Sequence, residues 1–326
     1  MMQDTRVMCD SIERGALAAL LLLMSAPACA QDYPSKPIRL VTSAAGGAAD
    51  FAARLAAQEL TALMGKQVVV DNRGSGIVVG EIVSRAPPDG YTVLVSGPTF
   101  WLAPFLYERL SWHPVRDFAP VTLAVSSPNV LVVHPSVAAS SVKELIALAK
   151  ARPGTLNYAA GGAGSSPHLA AELFKSMAGV ELTRINYKGA GIALNDLIGG
   201  QVQLMFAVGS GAVPHVKSGR LRALAVTTAK PTPLLPGLPT IAASGLPGYE
   251  SANNVGMFLP VKTPAAIVDR LSRESVRAFK MEAVRERAFN AGAEVVGCSP
   301  AEAAAAVKSE MTRMGKVIRD AAIRVE

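Results

Sequence analysis

Three short segments combine glycines, hydroxyls and helix starts in a way that can hold an anion. The first is Thr42-Ser43-Ala44-Ala45-Gly46-Gly47-Ala48-Ala49-Asp50, between a β-rich run (Ile38 to Thr42) and a helical pattern. Glycines let the backbone approach a ligand, and unpaired N–H groups at a helix start attract negative charge. The same residues also fit a plain tight turn in which Asp50 complements the helix dipole, and at this level both readings stand. The second segment, Gly161-Gly162-Ala163-Gly164-Ser165-Ser166, is the same device with two hydroxyls added and His168 just behind them. Each serine can donate to a carboxylate. The third is Tyr187-Lys188-Gly189-Ala190, again between strand and helix. Two such loops at strand ends, one per lobe, would clamp a ligand bearing a carboxylate.

Enzyme motifs largely fail. No G-x-S-x-G surrounds any serine, and the Walker pattern is missing. Gly162-x-Gly164 has Pro167 where a dinucleotide fingerprint needs its third glycine, and Gly74-x-Gly76 finds Gly80 one position late. His113 and His134 each precede proline and so belong to extended or turn segments, and His215 falls in a short helical stretch. His168 has two readings: a ligand contact, or a side chain that orders the serine loop. A periplasmic enzyme using His168 with Ser165 or Ser166 is the alternative function to set against a binding protein. No CxxC pair or Cys/His cluster provides a metal site, so neither metal nor cofactor is expected.

The elements that would position these loops alternate between β and α. Helical spacing covers Asp50 to Met64, stopped by Gly65, and Ile77 to Arg85, stopped by Pro87-Pro88-Asp89-Gly90. Strands are expected at Ile38–Thr42, Val68–Val70 and Tyr91–Val95. A second β/α series starts at Val130. Ser141 and Glu144 read as a capping box for a helix to Lys150. Leu156–Ala160 is a strand, and Ser166 reads as the N-cap of the next helix, with Pro167 first inside it. Strands near Leu182–Tyr187, Val202–Phe206 and Leu221–Val226 follow. The Pro-rich stretch from Pro231 to Pro247 reads as a surface connection. Beyond it Thr263-Pro264 opens a long helix, Ser299 and Glu302 form another capping box, and no further sheet is expected. This pattern gives an α/β fold of two lobes, each a mainly parallel sheet flanked by helices. The expected boundaries are 31–125 plus 256–326 for lobe 1 and 126–255 for lobe 2, with crossings near 121–130 and 249–258. The cleft outside the strand ends is the expected site.

Composition agrees with a folded binding protein. Hydrophobic residues make up 50% of the 326 and charged residues 17%, so disorder is not expected. The net charge of +7 comes from Lys and Arg scattered singly, with no run of five, which excludes a dedicated nucleic-acid surface. At the N-terminus, Gly15 to Met24 is an apolar run preceded by Arg14, and Ala28-Cys29-Ala30 fits an A-x-A cleavage site. Residues 1–30 therefore read as a signal peptide, with Met8 as an alternative start. Acylation at Cys29 is the minority reading, because Ala26 stands where lipoprotein signals usually place Leu. After cleavage Cys298 is the one cysteine left, so no internal disulfide can form.

In order along the chain, several segments resemble the tripartite tricarboxylate transporter receptors, the TctC or Bug family. Tyr33-Pro34-Ser35-Lys36-Pro37-Ile38 resembles its opening Y/F-P-x-K-P-I. Gly46, Gly47, Asp50, Ala53 and Arg54 match its G-G-x-x-D and Ala-Arg pair. Val70 to Gly76, Pro88 to Leu94, Leu156 to Phe174, Tyr187-Lys188-Gly189, Gly219 to Thr227 and Leu246 to Glu250 match further motifs. The resemblance implies a periplasmic Venus-flytrap receptor, monomeric, that closes on a small organic acid. It implies membrane transporter components as partners, or a membrane kinase if the protein is a sensor. It carries over Thr42, Ser43, Ala44, Ala45, Gly46, Gly47 and Asp50 as the first ligand loop. The segment from Ser96 to Thr99 follows as a cleft-lining strand end. Gly162, Gly164, Ser165, Ser166 and His168 form the second loop, and Tyr187, Gly189 and Ala190 the third. Two departures stand out: Thr42-Ser43 where a Pro-aromatic pair is common, and Ala207 where an Asp is common. Without that carboxylate, the preferred ligand is expected to be an organic acid lacking an amino group.

Export predicts a mature chain that begins just after Ala30. Sequencing the N-terminus of protein taken from the periplasm checks this. A chain still carrying Leu20–Leu23 would reject the signal peptide.

Overall fold

The computed structural model describes residues 33–325 except 44, 75, 162, 163, 188 and 189, and omits the side chains of 190 and 210. The signal peptide, Cys29, Ala44, Gly162 and Gly189 thus lie outside the described residues. The compact unit considered below begins at Lys36.

The chain opens with β1 (Ile38–Thr42), α1 (Ala48–Met64), β2 (Val68–Asn72), α2 (Gly76–Ser84) and β3 (Thr92–Ser96). β1 pairs in parallel with both β2 and β3. α1 buries Leu55, Leu60 and Met64 together with four alanines, and Gly65 ends it in the left-handed region at φ 68°, where a Cβ would be strained. Two short helical turns, α3 (Pro98–Trp101) and α4 (Ala103–Leu106), then lead to β4 (Phe118–Val133). The second half holds α5 (Val142–Ala151), β5 (Asn157–Ala160), α6 (Ser166–Ala178), β6 (Thr183–Asn186), α7 (Ala190–Ile198), β7 (Leu204–Val208), α8 (Gly209–Lys217) and β8 (Arg222–Val226). β9 (Ala252–Pro260), α9 (Ala265–Lys280), α10 (Glu282–Asn290), β10 (Glu294–Val295) and α11 (Pro300–Asp320) complete it.

Among the described residues the strands form one path, β2-β1-β3-β9-β4-β7-β5-β6, with β8 and β10 also pairing with β4. The expected parallel ladders are present at both ends of this path. Its middle is antiparallel. β9 runs against β3 and against β4 from Phe118↔Pro260 to Pro128↔Ala252. Beyond Pro128, β4 continues between β7 and β8. The 16-residue β4 is hidden in the sequence because it contains Pro120 and Pro128, which argue against an interior strand. Register shifts at Pro120/Thr122 and Leu123/Val125 accommodate the irregularity.

Several local expectations are corrected. Ser165, not Ser166, is the N-cap of α6, so Ser166 and Pro167 are its first two residues. Ser141 accepts the Glu144 N–H at 3.2 Å, but the Glu144 carboxylate takes the Ser140 N–H at 2.7 Å, so the box does not close on one residue. At Ser299 and Glu302 it does close. Pro264 is the N-cap of α9, while the Thr263 hydroxyl donates to the Pro260 carbonyl. The section after the Pro-rich stretch does add to the sheet, through β9 and the two-residue β10. The Pro-rich stretch is more than a surface connection. It buries Leu235, Ile241 and Leu246, and Ile241 N–H donates to the Val226 carbonyl of β8.

The larger apolar core joins both ends of the sheet path, from Leu94, Phe100 and Trp101 to Phe174 and Phe206, with Val307, Met314 and Ile318 of α11 between them. Phe100 packs on Trp112, Phe118 and Phe258 at ring-centre distances of 5.0, 4.8 and 5.1 Å. Gly256 of β9 sits against this aromatic group. A Cβ there would lie 2.8 Å from the Phe258 ring and 3.1 Å from Leu123. Phe258 is itself buried and packed against Phe100 and Trp101. Gly256→Ala is therefore expected to cost about 1–3 kcal/mol and to lower Tm by roughly 2–12 °C in scanning calorimetry. An unchanged Tm would show that β9 can shift away from the ring.

Candidate ligand-binding site

A cavity of ≈ 150 Å³ lies where the loop after β1, the end of β3, the start of α6 and β9 meet. From the first half it is lined by Ser43, Ser96 and Thr99, with Ala48 and Ala49 of the first turn of α1. From the second half come Gly164 and Ser166. Gly97, Pro98, Asn253 and Val255 complete the lining. Gly97 and Pro98 fall within the Ser96 to Thr99 strand end expected from sequence, whereas Asn253 and Val255 were not among the expected residues. Asn253 and Val255 belong to a strand with no motif of its own, and only the pairing of β9 with β3 and β4 brings them here.

The loop after β1 is held by Asp50, which does not line the cavity. Its buried carboxylate accepts from Gly46 N–H at 2.9 Å, Arg54 Nε at 3.0 Å and Asn72 Nδ2 at 2.9 Å. Burial works against ionisation, but these donors outweigh it and hold the carboxyl below its ordinary value. Asn72 also donates to the Ser43 carbonyl at 2.8 Å, so β2 fixes the cavity wall. Gly46, at φ 86°, makes the turn; with Ala45 and Gly47 it is exposed. Thr42 is buried at the end of β1, and its hydroxyl has no partner among the described residues. Thr99 is exposed and packs over Gly76, where a Cβ would fall 2.8 Å from its hydroxyl.

In the second loop Gly164 is required twice over. Its φ is 76°, and a Cβ would lie 2.8 Å from Leu106 of α4. Gly164 N–H donates to His168 Nδ1 at 3.1 Å, and His168 Nε2 is 3.9 Å from Glu172. Glu172 in turn accepts from Tyr158 at 2.5 Å and Lys175 at 3.0 Å. Burial, and then the nearby charge of Arg184, lower the His168 pKa to about 4, so the ring is neutral near pH 7. No hydrogen bond among the described residues joins His168 to Ser165 or Ser166. Of its two sequence readings, the geometry matches the one in which His168 orders the loop. The Ser165 hydroxyl is buried without a partner among the described residues, and the Ser166 hydroxyl accepts from Asn129 Nδ2 at 2.7 Å.

Two candidate sites are engaged elsewhere. Tyr187 donates to Asp196 at 2.8 Å, and burial followed by this bond pushes its pKa up to about 12. Ala190 begins α7. Ala207 is fully buried in β7, in a second apolar cluster with Val130, Leu194 and Met205. Neither Tyr187 nor Ala207 lines the cavity.

Neither α1 nor α6 has a side-chain cap, and both begin at the cavity, one from each half of the sheet. Ala48 and Ala49 of the first turn of α1 and Ser166 of the first turn of α6 line it beside hydroxyl and amide side chains. The family model described as the tripartite tricarboxylate transporter family receptor, TctC, matches residues 52–323. The chain belongs to this family. The UPF0065 protein in the tcbD-tcbE intergenic region of Pseudomonas sp. strain P51 is 38% identical to it, covering 88% of this chain and 86% of that protein. Among solved structures, R. palustris Rpa4515 with adipate is 36% identical, with a TM-score of 0.75 over 90% of this chain and 100% of that one. MatC (Rpa3494) from Rhodopseudomonas palustris with bound malate is 29% identical, with a TM-score of 0.72 over 88% and 100%. The fold is the α/β fold of TctC-type periplasmic binding proteins.

For this TctC receptor, the neutral His168 has a measurable consequence. Between its ordinary pKa of 6.5 and the folded value of about 4, the unfolded chain takes up a proton that the folded chain refuses. Its contribution is fully present above 6.5 and is lost as pH falls toward 4. His168→Asn keeps an acceptor for Gly164 N–H but does not titrate. Its Tm should fall less than that of the wild type between pH 6.5 and 4. Parallel Tm–pH curves would reject a buried neutral His168.

Proposed function

We propose that this protein is an exported receptor that captures a small organic carboxylate in the cavity and presents it to the membrane components of a tripartite tricarboxylate-type transporter. The observation that carries the reading is the convergence of the α1 and α6 starts on one cavity. Each helix start is equivalent to roughly half a positive charge, and the hydroxyls of Ser43, Ser96, Thr99 and Ser166 add neutral donors. No charged side chain is among the described residues lining it. An anion is thus favoured without a fixed counter-ion. The cavity is small, about five times the ~30 Å³ share of one water in the liquid, which suits a compact acid. The adipate and malate bound in the two solved relatives are of this class.

The reading extends to the whole molecule. Residues 31–125 with 256–326 form one lobe and 126–255 the other, joined at the crossings that β4 and β9 provide, and the lobes close on the ligand. The protein works as a periplasmic monomer after loss of residues 1–30. It is a receptor and not an enzyme, in keeping with the use of His168 Nδ1 as the acceptor for Gly164 N–H. A sensor that reports the same acid to a membrane kinase would use the same cavity.

Because no carboxylate lines the cavity, an ammonium on the ligand would be left unpaired on closure, which is costly. Calorimetry with adipate and malate beside glutamate and aspartate is the direct test, with X-ray scattering on the same samples. Binding of the plain acids at least roughly tenfold tighter, about 1.4 kcal/mol, with a smaller radius of gyration, is the expected result. Tighter binding of the amino acids would overturn the ligand class. Turnover of any acid would overturn the receptor.

A further inference from the structure

Ser166 is the one hydroxyl of the second loop that lines the cavity, and its partner comes from outside the loop. Asn129 lies on β4 at the point where that strand passes from β9 to β7, paired with Val208. Its side chain is fully buried, and Nδ2 donates to Ser166 Oγ at 2.7 Å. Its backbone is pinned by Thr227. Asn129 N–H donates to Thr227 Oγ1 at 3.0 Å, and the Asn129 carbonyl accepts from Thr227 Oγ1 and N–H at 3.0 and 2.9 Å. Thr227 is itself fully buried. The carboxamide therefore has a fixed origin, while Asn129 Oδ1 has no partner among the described residues.

A hydroxyl is a rotor with one donor and two acceptor sites. When Asn129 occupies an acceptor site of Ser166, the Ser166 proton cannot point back at Asn129 and is left for another acceptor. Resting on the receptor reading above, we propose that Asn129 is a positioning residue for ligand capture: it holds Ser166 as an acceptor from the crossing strand, so that the Ser166 proton is presented to the ligand carboxylate. Asn129 need not touch the ligand. The bond also ties the start of α6 to β4, so the crossing strand and the ligand share one hydroxyl.

A double-mutant cycle in calorimetry, with adipate and malate as probes, tests this. Ser166→Ala should weaken binding roughly 10- to 150-fold, the range for a hydrogen bond to a charged group. Asn129→Leu leaves the hydroxyl but frees its rotor, and should weaken binding about 2- to 10-fold. Asn129→Asp keeps the shape and reverses the polarity. Its carboxylate draws the Ser166 proton away, so it should approach the Ser166→Ala loss. In the Ser166→Ala background the neutral Asn129→Leu change should not shift affinity by more than about twofold, because coupled neighbours are not additive; Asn129→Asp also adds a negative charge near the ligand and is read only beside an intact Ser166. Thermal unfolding of all variants separates this from a structural role, which would lower Tm equally with or without Ser166. Additive losses of affinity would overturn the inference. So would an Asn129→Asp protein that binds as tightly as the wild type, since Asn129 would then not be the donor. Wild-type protein that binds neither acid would overturn the receptor reading and this inference together. Wild-type binding with unaffected Asn129 variants would overturn this inference alone.

Discussion

The antiparallel pairing of β4 with β9 is the interaction on which the rest of the molecule depends. β4 is long enough to serve both ends of the sheet path. Its first part bonds to β9 and β10, and its last part to β7 and β8. Backbone groups buried this deeply must be paired, and here both sides of β4 are. The parallel ladders at either end are extensions of this central pair. β9 carries Asn253 and Val255 to the cavity and β4 carries Asn129 beneath it, so the strands that join the halves also form part of the site.

Around that frame the charged groups close on themselves. Asp50 is satisfied by Arg54, Gly46 and Asn72; Glu172 by Lys175 and Tyr158; Asp196 by Tyr187. These networks stiffen the loops without placing a formal charge in the cavity. Among the described residues, the cavity is lined by the first turns of two helices and by neutral hydroxyls and amides. Such groups stabilise an anion with little reorganisation, because they are already oriented when it arrives. A lysine or arginine in their place would add attraction, but it would also have to be desolvated on closure.

Much of this was legible in the sequence. The period of apolar residues gave α1, α2 and the parallel strands, and Gly65 marked a helix end, where the structure has it in the left-handed conformation. The loops near residues 43–49 and 161–166 were legible as candidates because glycines between strand and helix let the backbone approach a ligand, although a plain tight turn fitted the first of them equally well. Within those loops the roles were not legible. Asp50 and His168 are of the types that bind ligands, yet each spends its hydrogen bonds on holding its own loop. Ser165 and Ser166 differ by one position, and only the geometry of the α6 start decides which is the cap and which lines the cavity.

The sequence by itself determined the local elements, the order of the β/α units and the family resemblance, because these follow from short-range periodicity, turn chemistry and motifs. Tertiary structure decided the site. Asn253 stands 89 positions beyond Gly164 in the chain, and Asn129 is 37 positions from Ser166. No local pattern marks either asparagine, since a lone amide in a strand has no periodic or turn signature. They become functional candidates only when β9 and β4 pair, because hydrogen bonding acts on distance in space and the sequence records distance along the chain.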